Sequence, residues 1–334
     1  MVVWAKTIQT LIPPCATLSV IQTISIRSLI RLFKLSKLRY IFAMMVKRYI
    51  DDKMDRAASR SWCVSGAGSG LGLALVKAAA EHGDSVAALV RRRESVEQIN
   101  ALGQKNVVPI VIDMLDRAAL PDAVRACEAA IGPIDVLVNN AGKVLETTIE
   151  EADPVAIEAL FAINVFAPID LIRVVLPSMR ARGTGRIINI SSGGGFVGLP
   201  ALGIYCATKF ALEGMSEALA GELGGLGIHV TIVEPGSFRT DLLARNTQNI
   251  PTSFADYEKT CGDWRRRLQG MSGHEPNNPE LFAQAMLKLV DHPRPPLRLP
   301  LGDDAINMVE EKLVAIATDI APWRSVGGGL AFTN

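Results

Sequence analysis

The sequence predicts an α/β fold: a doubly wound parallel sheet in a single domain, preceded by an N-terminal extension outside the core. Three observations predict it. From Ser61 onward, short apolar runs alternate with amphipathic stretches of helix length. The runs are nearly continuous in apolar residues, as expected of parallel strands buried on both faces. A glycine-rich turn follows the first run and opens the first helix. With 334 residues, 49% of them hydrophobic, the chain can build one sizeable core.

The elements follow in order. Trp62–Ser65 is the first strand and Leu71–His82 the first helix. Strands at Ser85–Val90 and Val107–Ile112 precede a helix over Arg117–Ile131. Val136–Asn139 is the fourth strand, and Val155–Arg182 reads as one long helix. Arg186–Ile190, the helix Tyr205–Leu223 and His229–Val233 complete the central alternation. A helix over Pro279–Val290 and a short strand near Leu297–Leu299 come last. Strands separated by helices imply parallel pairing with helices on both faces. No internal repeat or low-complexity linker interrupts this pattern.

Charge and cysteine content exclude some classes. The net charge is +1, which gives no global case for nucleic acid. It is unevenly spread: residues 1–60 carry eleven Lys/Arg and three Asp, a local +8 that leaves the rest at −7. Cys15, Cys63, Cys127, Cys206 and Cys261 form an odd set without a C-x-x-C pair, so a reducing compartment is the simpler reading. His82, His229, His274 and His292 are scattered, and no metal site is expected.

Residues 1–57 form the basic, apolar extension. Pro13-Pro14 and Lys6 interrupt its first apolar stretch, making a poor membrane span. Between Arg27 and Ile50, Arg27, Arg31 and Lys34 recur among apolar residues at roughly helical spacing, as in a targeting or membrane-surface segment. A disordered leader remains the alternative. The expected location is cytoplasmic, or mitochondrial or membrane-associated through residues 1–50.

Ser65-Gly66-Ala67-Gly68-Ser69-Gly70-Leu71-Gly72 lies between the first strand and the first helix. Glycines let the backbone approach a pyrophosphate, and a helix N-terminus offers N–H groups to it. A plain βα turn would look similar, but the strand-turn-helix context favours a dinucleotide. The second strand runs into Arg91-Arg92-Arg93 with no acid before Glu94. An acid there would take ribose hydroxyls, whereas arginine grips a 2′-phosphate. NADP(H) is therefore expected over NAD(H), with Arg91 the first candidate.

Tyr205-Cys206-Ala207-Thr208-Lys209 places a phenol and an ammonium on one helix face. A neighbouring cation lowers a phenol's pKa, so Tyr205 can exchange a proton with an alcohol or carbonyl. Ser191-Ser192 ends a strand at the carboxyl edge of the sheet, where ligands bind in such folds. A serine there can orient a substrate oxygen.

Together these residues resemble the short-chain dehydrogenase/reductase family over residues ~61–300, a Rossmann-type fold. Ser65 stands where the family usually has threonine, and the hydroxyl is kept. The resemblance implies cofactor contacts from Ser65, Gly66, Ser69, Gly70, Leu71 and Gly72. It implies that Asp113 meets the adenine. Asn139-Asn140-Ala141-Gly142 would support the sheet and the adenosine ribose, through Asn139, Ala141 and Gly142. Pro235-Gly236-Ser237-Phe238-Arg239-Thr240 would flank the nicotinamide, with Phe238 and Thr240 holding its carboxamide. Asn164, Ser192, Tyr205 and Lys209 would form the catalytic set, with Ser192 preferred to Ser191 for its position thirteen residues before Tyr205. In these roles Lys209 binds ribose hydroxyls and lowers the Tyr205 pKa, Ser192 stabilises the substrate oxygen, and Asn164 positions a relay water.

The implied activity is hydride exchange between NADP(H) and a small ketone, aldehyde or alcohol. Residues 58–334 would then be the oxidoreductase domain, with a substrate lid over 241–276. Phe254, Tyr257 and Trp264 in that lid suggest an apolar substrate, though a lid packed on its own core would look alike. The tail through Trp323 either closes the pocket or packs on a partner. The resemblance also implies a dimer or tetramer pairing through Val155–Arg182 and Tyr205–Leu223. A non-catalytic NADP(H) sensor on the same fold is one competing reading. The other is a carrier-tethered acyl ketoreductase using Arg265–Arg267 as a basic patch, although a solvated face is the simpler account of those arginines.

Overall fold

Alternate residues of each central strand face opposite sides of one sheet, and the two sets build two cores. The computed structural model describes residues 59–334 except 243–246, 251, 333 and 334. Contacts within the chain separate residues 1–59 from residues 60–334. The expectations for residues 1–57 lie outside the described residues.

The strands are β1 (Ser61–Ser65), β2 (Ser85–Val90), β3 (Val107–Val111), β4 (Val136–Asn139), β5 (Val144–Glu146), β6 (Gly185–Ile190), β7 (Ile228–Pro235), β8 (Thr247–Asn249) and β9 (Arg298–Leu301). Among the described residues, seven of them form a sheet in the order β3-β2-β1-β4-β6-β7-β9, with every pair parallel. Strand order reverses between β1 and β4. In such sheets the crevice at the carboxyl ends, beside that reversal, is where ligands bind.

The helices are α1 (Gly70–Glu81), α2 (Arg93–Asn100), α3 (Leu120–Ile131), α4 (Pro154–Phe161), α5 (Ala167–Arg182), α6 (Gly203–Glu222), α7 (Asp263–Met271), α8 (Pro279–Asp291) and α9 (Asp303–Gly327). Trp62, Val64, Val86 and Ala88 point to one face, where Leu75 and Val76 of α1 and Phe282 and Met286 of α8 cover them. Cys63, Ala87 and Leu89 point to the other, under Val124 of α3, Leu171 of α5 and Leu219 of α6. Local chemistry sets the helix starts. Pro279 opens α8, and the Asn278 side chain accepts from the Glu280 N–H at 2.7 Å. Asp153 caps α4 in the same way, accepting from Val155 and Ala156.

The seven main strands lie within three residues of expectation. The long helix differs. A π-helical turn, Ala162–Phe166, separates α4 from α5. Pro168 has no N–H to offer the Asn164 carbonyl four residues earlier, so the helical ladder cannot run straight through. Five described elements, α2, α7, α9, β5 and β8, are not among those the sequence predicts. β5 and β8 pair with each other, so the region after β7 is tied to the core. Cys63, Cys127, Cys206 and Cys261 are free and buried.

Phe282 supports both core and site. It is buried and meets the Phe238 ring edge-on at 5.5 Å. Phe282→Ala should cost ~3–5 kcal/mol in urea unfolding, as for other buried phenylalanines.

Candidate active site

Loops at the carboxyl ends of β1, β2, β3, β4, β6 and β7, with one face of α6, border a cavity of about 380 Å³. Gly66 and Gly70 have φ of +65° and +53°, which a side chain would strain. A Cβ on Gly72 would come within 2.4 Å of the Gly66 carbonyl oxygen, so glycine lets α1 close on its own turn. Ser69 takes the N-cap position of α1 without a side-chain cap, leaving first-turn N–H groups for an anion.

The expected residues divide into those at the cavity and those beneath it. Gly66, Ser69, Gly70, Leu71, Arg91, Asp113, Ala141, Gly142, Pro235, Gly236, Phe238 and Thr240 line it, as do Ser192, Tyr205 and Lys209. Ser65, Gly72, Asn139 and Asn164 are not among the lining residues. Ser65 Oγ accepts from the N–H groups of Asn140 and Ala141, both at 3.0 Å, joining the ends of β1 and β4. Asn139 is buried and donates to Asn189 Oδ1 at 2.7 Å; Asn189 donates to Ser216 of α6 at 2.7 Å. That chain ties β4, β6 and α6 together. Asn140 reaches the cavity instead, donating to the Ser65 carbonyl at 2.9 Å and pinning the glycine-rich turn.

Tyr205 and Lys209 stand one turn apart on α6, and both are buried. Lys209 Nζ donates to the Ile190 carbonyl at 2.9 Å and lies 5.9 Å from the Tyr205 ring centre. Burial pushes the Lys209 pKa down to about 8, against the attraction of Glu213. Burial also pushes Tyr205 up to about 12, although its hydrogen bond with Ser192 works against that rise. The depression expected from the neighbouring ammonium is not found: desolvation sets the direction, and Ser192 is the group that opposes it. Asn164 Nδ2 donates to the Lys143 carbonyl and to Thr208 Oγ1, each at 3.0 Å, and Oδ1 accepts from Lys143 N–H at 2.9 Å. It clamps the π turn to α6 and to the loop after β4. A Cβ on Gly142 would sit 3.2 Å from Asn164 Oδ1 and 3.6 Å from Lys209 Nζ, so this glycine lets the groups converge.

Behind Ser192 lies an ionic cluster that sequence reasoning missed. Glu213, a further turn along α6, accepts from Ser191 Oγ at 2.6 Å and pairs with Arg298 of β9. Arg298 also meets Glu234 at 3.0 Å and Glu217 at 3.0 Å. Glu213 and Glu234 are both buried. Burial first, and repulsion from Glu213 second, raise Glu234 to about 7.

The described residues of the segment expected to be a lid pack on the protein's own core. Arg265 is buried and pairs with Glu146 Nε to Oε1 at 3.0 Å, so of Arg265–Arg267 only Arg266 and Arg267 are solvated. The guanidinium enters the interior because a carboxylate is already there to neutralise it. Ile250 and Leu268 pack against Val144, Leu145, Leu160 and Tyr205. Phe254, Tyr257 and Trp264 do not line the cavity among the described residues; Val144, Ile163 and Leu242 supply its apolar surface beside Tyr205.

A family model described as short chain dehydrogenase matches residues 60–251. The chain belongs to the short-chain dehydrogenase/reductase family. An oxidoreductase of Botryotinia fuckeliana is 34% identical over 269 residues, covering 80% of this chain and 98% of its own length. A 3-ketodihydrosphingosine reductase of Bacteroides thetaiotaomicron is 33% identical over 242 residues, covering 72% and 86%. Among solved structures, a short-chain dehydrogenase from Streptomyces avermitilis is 36% identical with a TM-score of 0.77, covering 82% of this chain and 99% of that one. As a short-chain dehydrogenase/reductase, the chain is an oxidoreductase-family protein with a nicotinamide-dinucleotide fold.

Glu234 gives this site a pH signature. Its folded pKa, about 7, lies above the usual ~4.3 of an unfolded glutamate. Between those values the folded state holds the extra proton, so this contribution is full at the acid end and lost as pH rises through 7. Wild type should lose stability relative to Glu234→Gln between about pH 5 and about pH 8, read by urea unfolding. A constant difference across that range would contradict this assignment.

Proposed function

We propose that this chain is an NADP(H)-dependent carbonyl reductase or alcohol dehydrogenase, with Tyr205 as acid/base toward a small substrate of apolar body. The carrying observation is that Tyr205, Ser192 and Lys209 share one cavity with the glycine-rich turn. The cavity's volume falls in the range of small-molecule sites.

The residues present fit a nicotinamide dinucleotide. Gly66 and Gly70 form a cradle that side chains would strain, and α1 directs N–H groups toward it. Arg91 and Arg92 extend the cavity past the end of β2, where a 2′-phosphate would bind, and Asp113 borders the adenine end. Pro235, Gly236, Phe238 and Thr240 would hold the nicotinamide end. Thr240 already packs 3.2 Å from where a Gly70 Cβ would be, so the two halves of the cradle adjoin. When bound, the nicotinamide would give or take the hydride. A serine dehydrogenase complexed with NADP+ is 26% identical with a TM-score of 0.62 over 72% of this chain, and a short-chain dehydrogenase of the same fold is complexed with NAD, so the choice of NADP(H) rests on Arg91 and Arg92.

The protein's own groups then handle the oxygen and its proton. Tyr205, with a pKa near 12, keeps its proton at neutral pH and donates it to a developing alkoxide. Ser192, bonded to Tyr205, offers its hydroxyl to that same oxygen. Lys209 is fixed on Ile190 and carries its charge below about pH 8. Val144, Ile163 and Leu242 exclude water from the substrate side. The chain is read as a dimer or tetramer pairing through Pro154–Arg182 and α6, on which Val155, Phe166 and Phe210 are exposed. Residues 1–57 are read as a targeting or anchoring extension.

Two measurements test this reading. With a panel of ketones, aldehydes and alcohols assayed by nicotinamide absorbance, Tyr205→Phe should lower kcat by ~10²–10⁴ while NADPH binding by fluorescence is unchanged. A protein without turnover in either form would instead be a sensor. Arg91→Ala/Arg92→Ala should raise the KM for NADPH about tenfold or more and spare NADH, the expected size of lost charge-assisted hydrogen bonds.

A further inference from the structure

Helix α9 begins packed and ends exposed. Ala305 is fully buried, and Met308 Sδ lies 3.1 Å from where a Gly193 Cβ would be. Asp304 accepts from the Ser237 N–H at 2.6 Å and from Asn277 Nδ2 at 2.8 Å. Beyond Lys312 the helix leaves this support. Leu313 is 53% exposed and Trp323 67%, with Ile316, Ile320 and Val326 also exposed.

Most of the exposed apolar residues fall on one line. Ile306, half-buried Val309, Leu313, Ile316, Ile320 and Trp323 follow one another at intervals of three, four, three, four and three, while exposed Val314 and Val326 lie off it. That 3.5-residue repeat makes a narrow seam, which is what a second helix lying along the first requires. A soluble chain rarely leaves so long an apolar stripe open to water.

The charges identify the second helix. Asp303, Asp304, Glu310, Glu311 and Asp319 outnumber Lys312 and Arg324 on α9. Helices that lie on anionic lipid carry the opposite excess. Lys312 and Asp319 occupy equivalent flanking positions one heptad apart, beside the seam. In an antiparallel pair of identical helices, with the two-fold axis between Leu313 and Ile316, Ile306 faces the partner's Trp323. Val309 then faces the partner's Ile320, and Leu313 the partner's Ile316. The same axis sets Lys312 beside the partner's Asp319, and the contact occurs twice. Neither Lys312 nor Asp319 makes an ion pair among the described residues. The seam and its flanking charges are thus self-complementary, which is what an isologous interface demands.

We propose that α9 is a homodimerisation helix, packing antiparallel against α9 of a second copy along the Ile306–Trp323 seam. This contact is separate from the α4–α5 and α6 surfaces, and it does not depend on the assigned activity. It abuts the site all the same, because the first turns of α9 touch the Ser192 turn and the segment after β7.

Sedimentation velocity on the full chain at micromolar concentration tests it. Leu313→Glu/Ile320→Glu, at exposed positions, should halve the mass of the wild-type assembly with an unchanged circular-dichroism melt of the domain. Lys312→Asp and Asp319→Lys should each weaken the assembly, and the double swap should restore it. A monomeric wild type, or a mass unaffected by Leu313→Glu/Ile320→Glu, would overturn the proposal. So would failure of the swap to rescue. Loss of binding to phosphatidylcholine vesicles in Leu313→Glu/Ile320→Glu, at unchanged mass, would assign the stripe to lipid instead. A change in mass only on removing residues 1–57 would assign it to that segment.

Discussion

The site rests on burying an ammonium group without leaving it unpaired. Lys209 enters the interior from α6, gives one hydrogen bond to the Ile190 carbonyl and feels Glu213 one turn further on. An unpaired buried charge costs several kcal/mol, so each partner constrains where α6 can sit on the sheet. Tyr205, Lys209 and Glu213 share one stripe of that helix. Whatever fixes the lysine also fixes the phenol before it and the carboxylate after it.

The carboxylate carries the constraint outward. Glu213 holds Ser191, the neighbour of Ser192, and shares Arg298 with Glu234. Burial, then repulsion from the equally buried Glu213, explains why Glu234 retains its proton so far toward neutrality despite Arg298. On the opposite side, Asn164 ties the π turn to Thr208 and to Lys143. A helix irregularity caused by Pro168 therefore becomes the means by which α4 and α5 reach α6. The cavity wall is rigid because its polar groups are already committed to one another.

The strands and most helices were legible because their signals are local. Central strands such as Val136–Asn139 are continuous apolar runs, and Gly66 or Asn278 mark where turns and helices begin. The pairing of Tyr205 with Lys209 was legible because one helical turn links sequence spacing to space. What escaped depends on residues far apart in the chain. Arg298 meets Glu213 across 85 positions and Glu234 across 64, and Arg265 reaches the Glu146 carbonyl across 119. Nothing local marks an arginine whose partner lies a hundred residues away. Asn139 and Asn140 show the same limit: the pair was legible, but which one reaches the cavity depends on strand register with Asn189. Helix α9 was hidden for another reason. Its apolar spacing carries the signal, but it lies past the last strand, where the family resemblance ends.

The most direct test of this account is the titration of the Lys209 side chain in the free protein. Carbon–nitrogen correlation spectra of lysine-labelled protein, with Lys209→Met to assign the signal, should show a midpoint at about 8. A midpoint near the ordinary lysine value of ~10.4 would place the ammonium in water and contradict the buried phenol–ammonium arrangement on which the site depends.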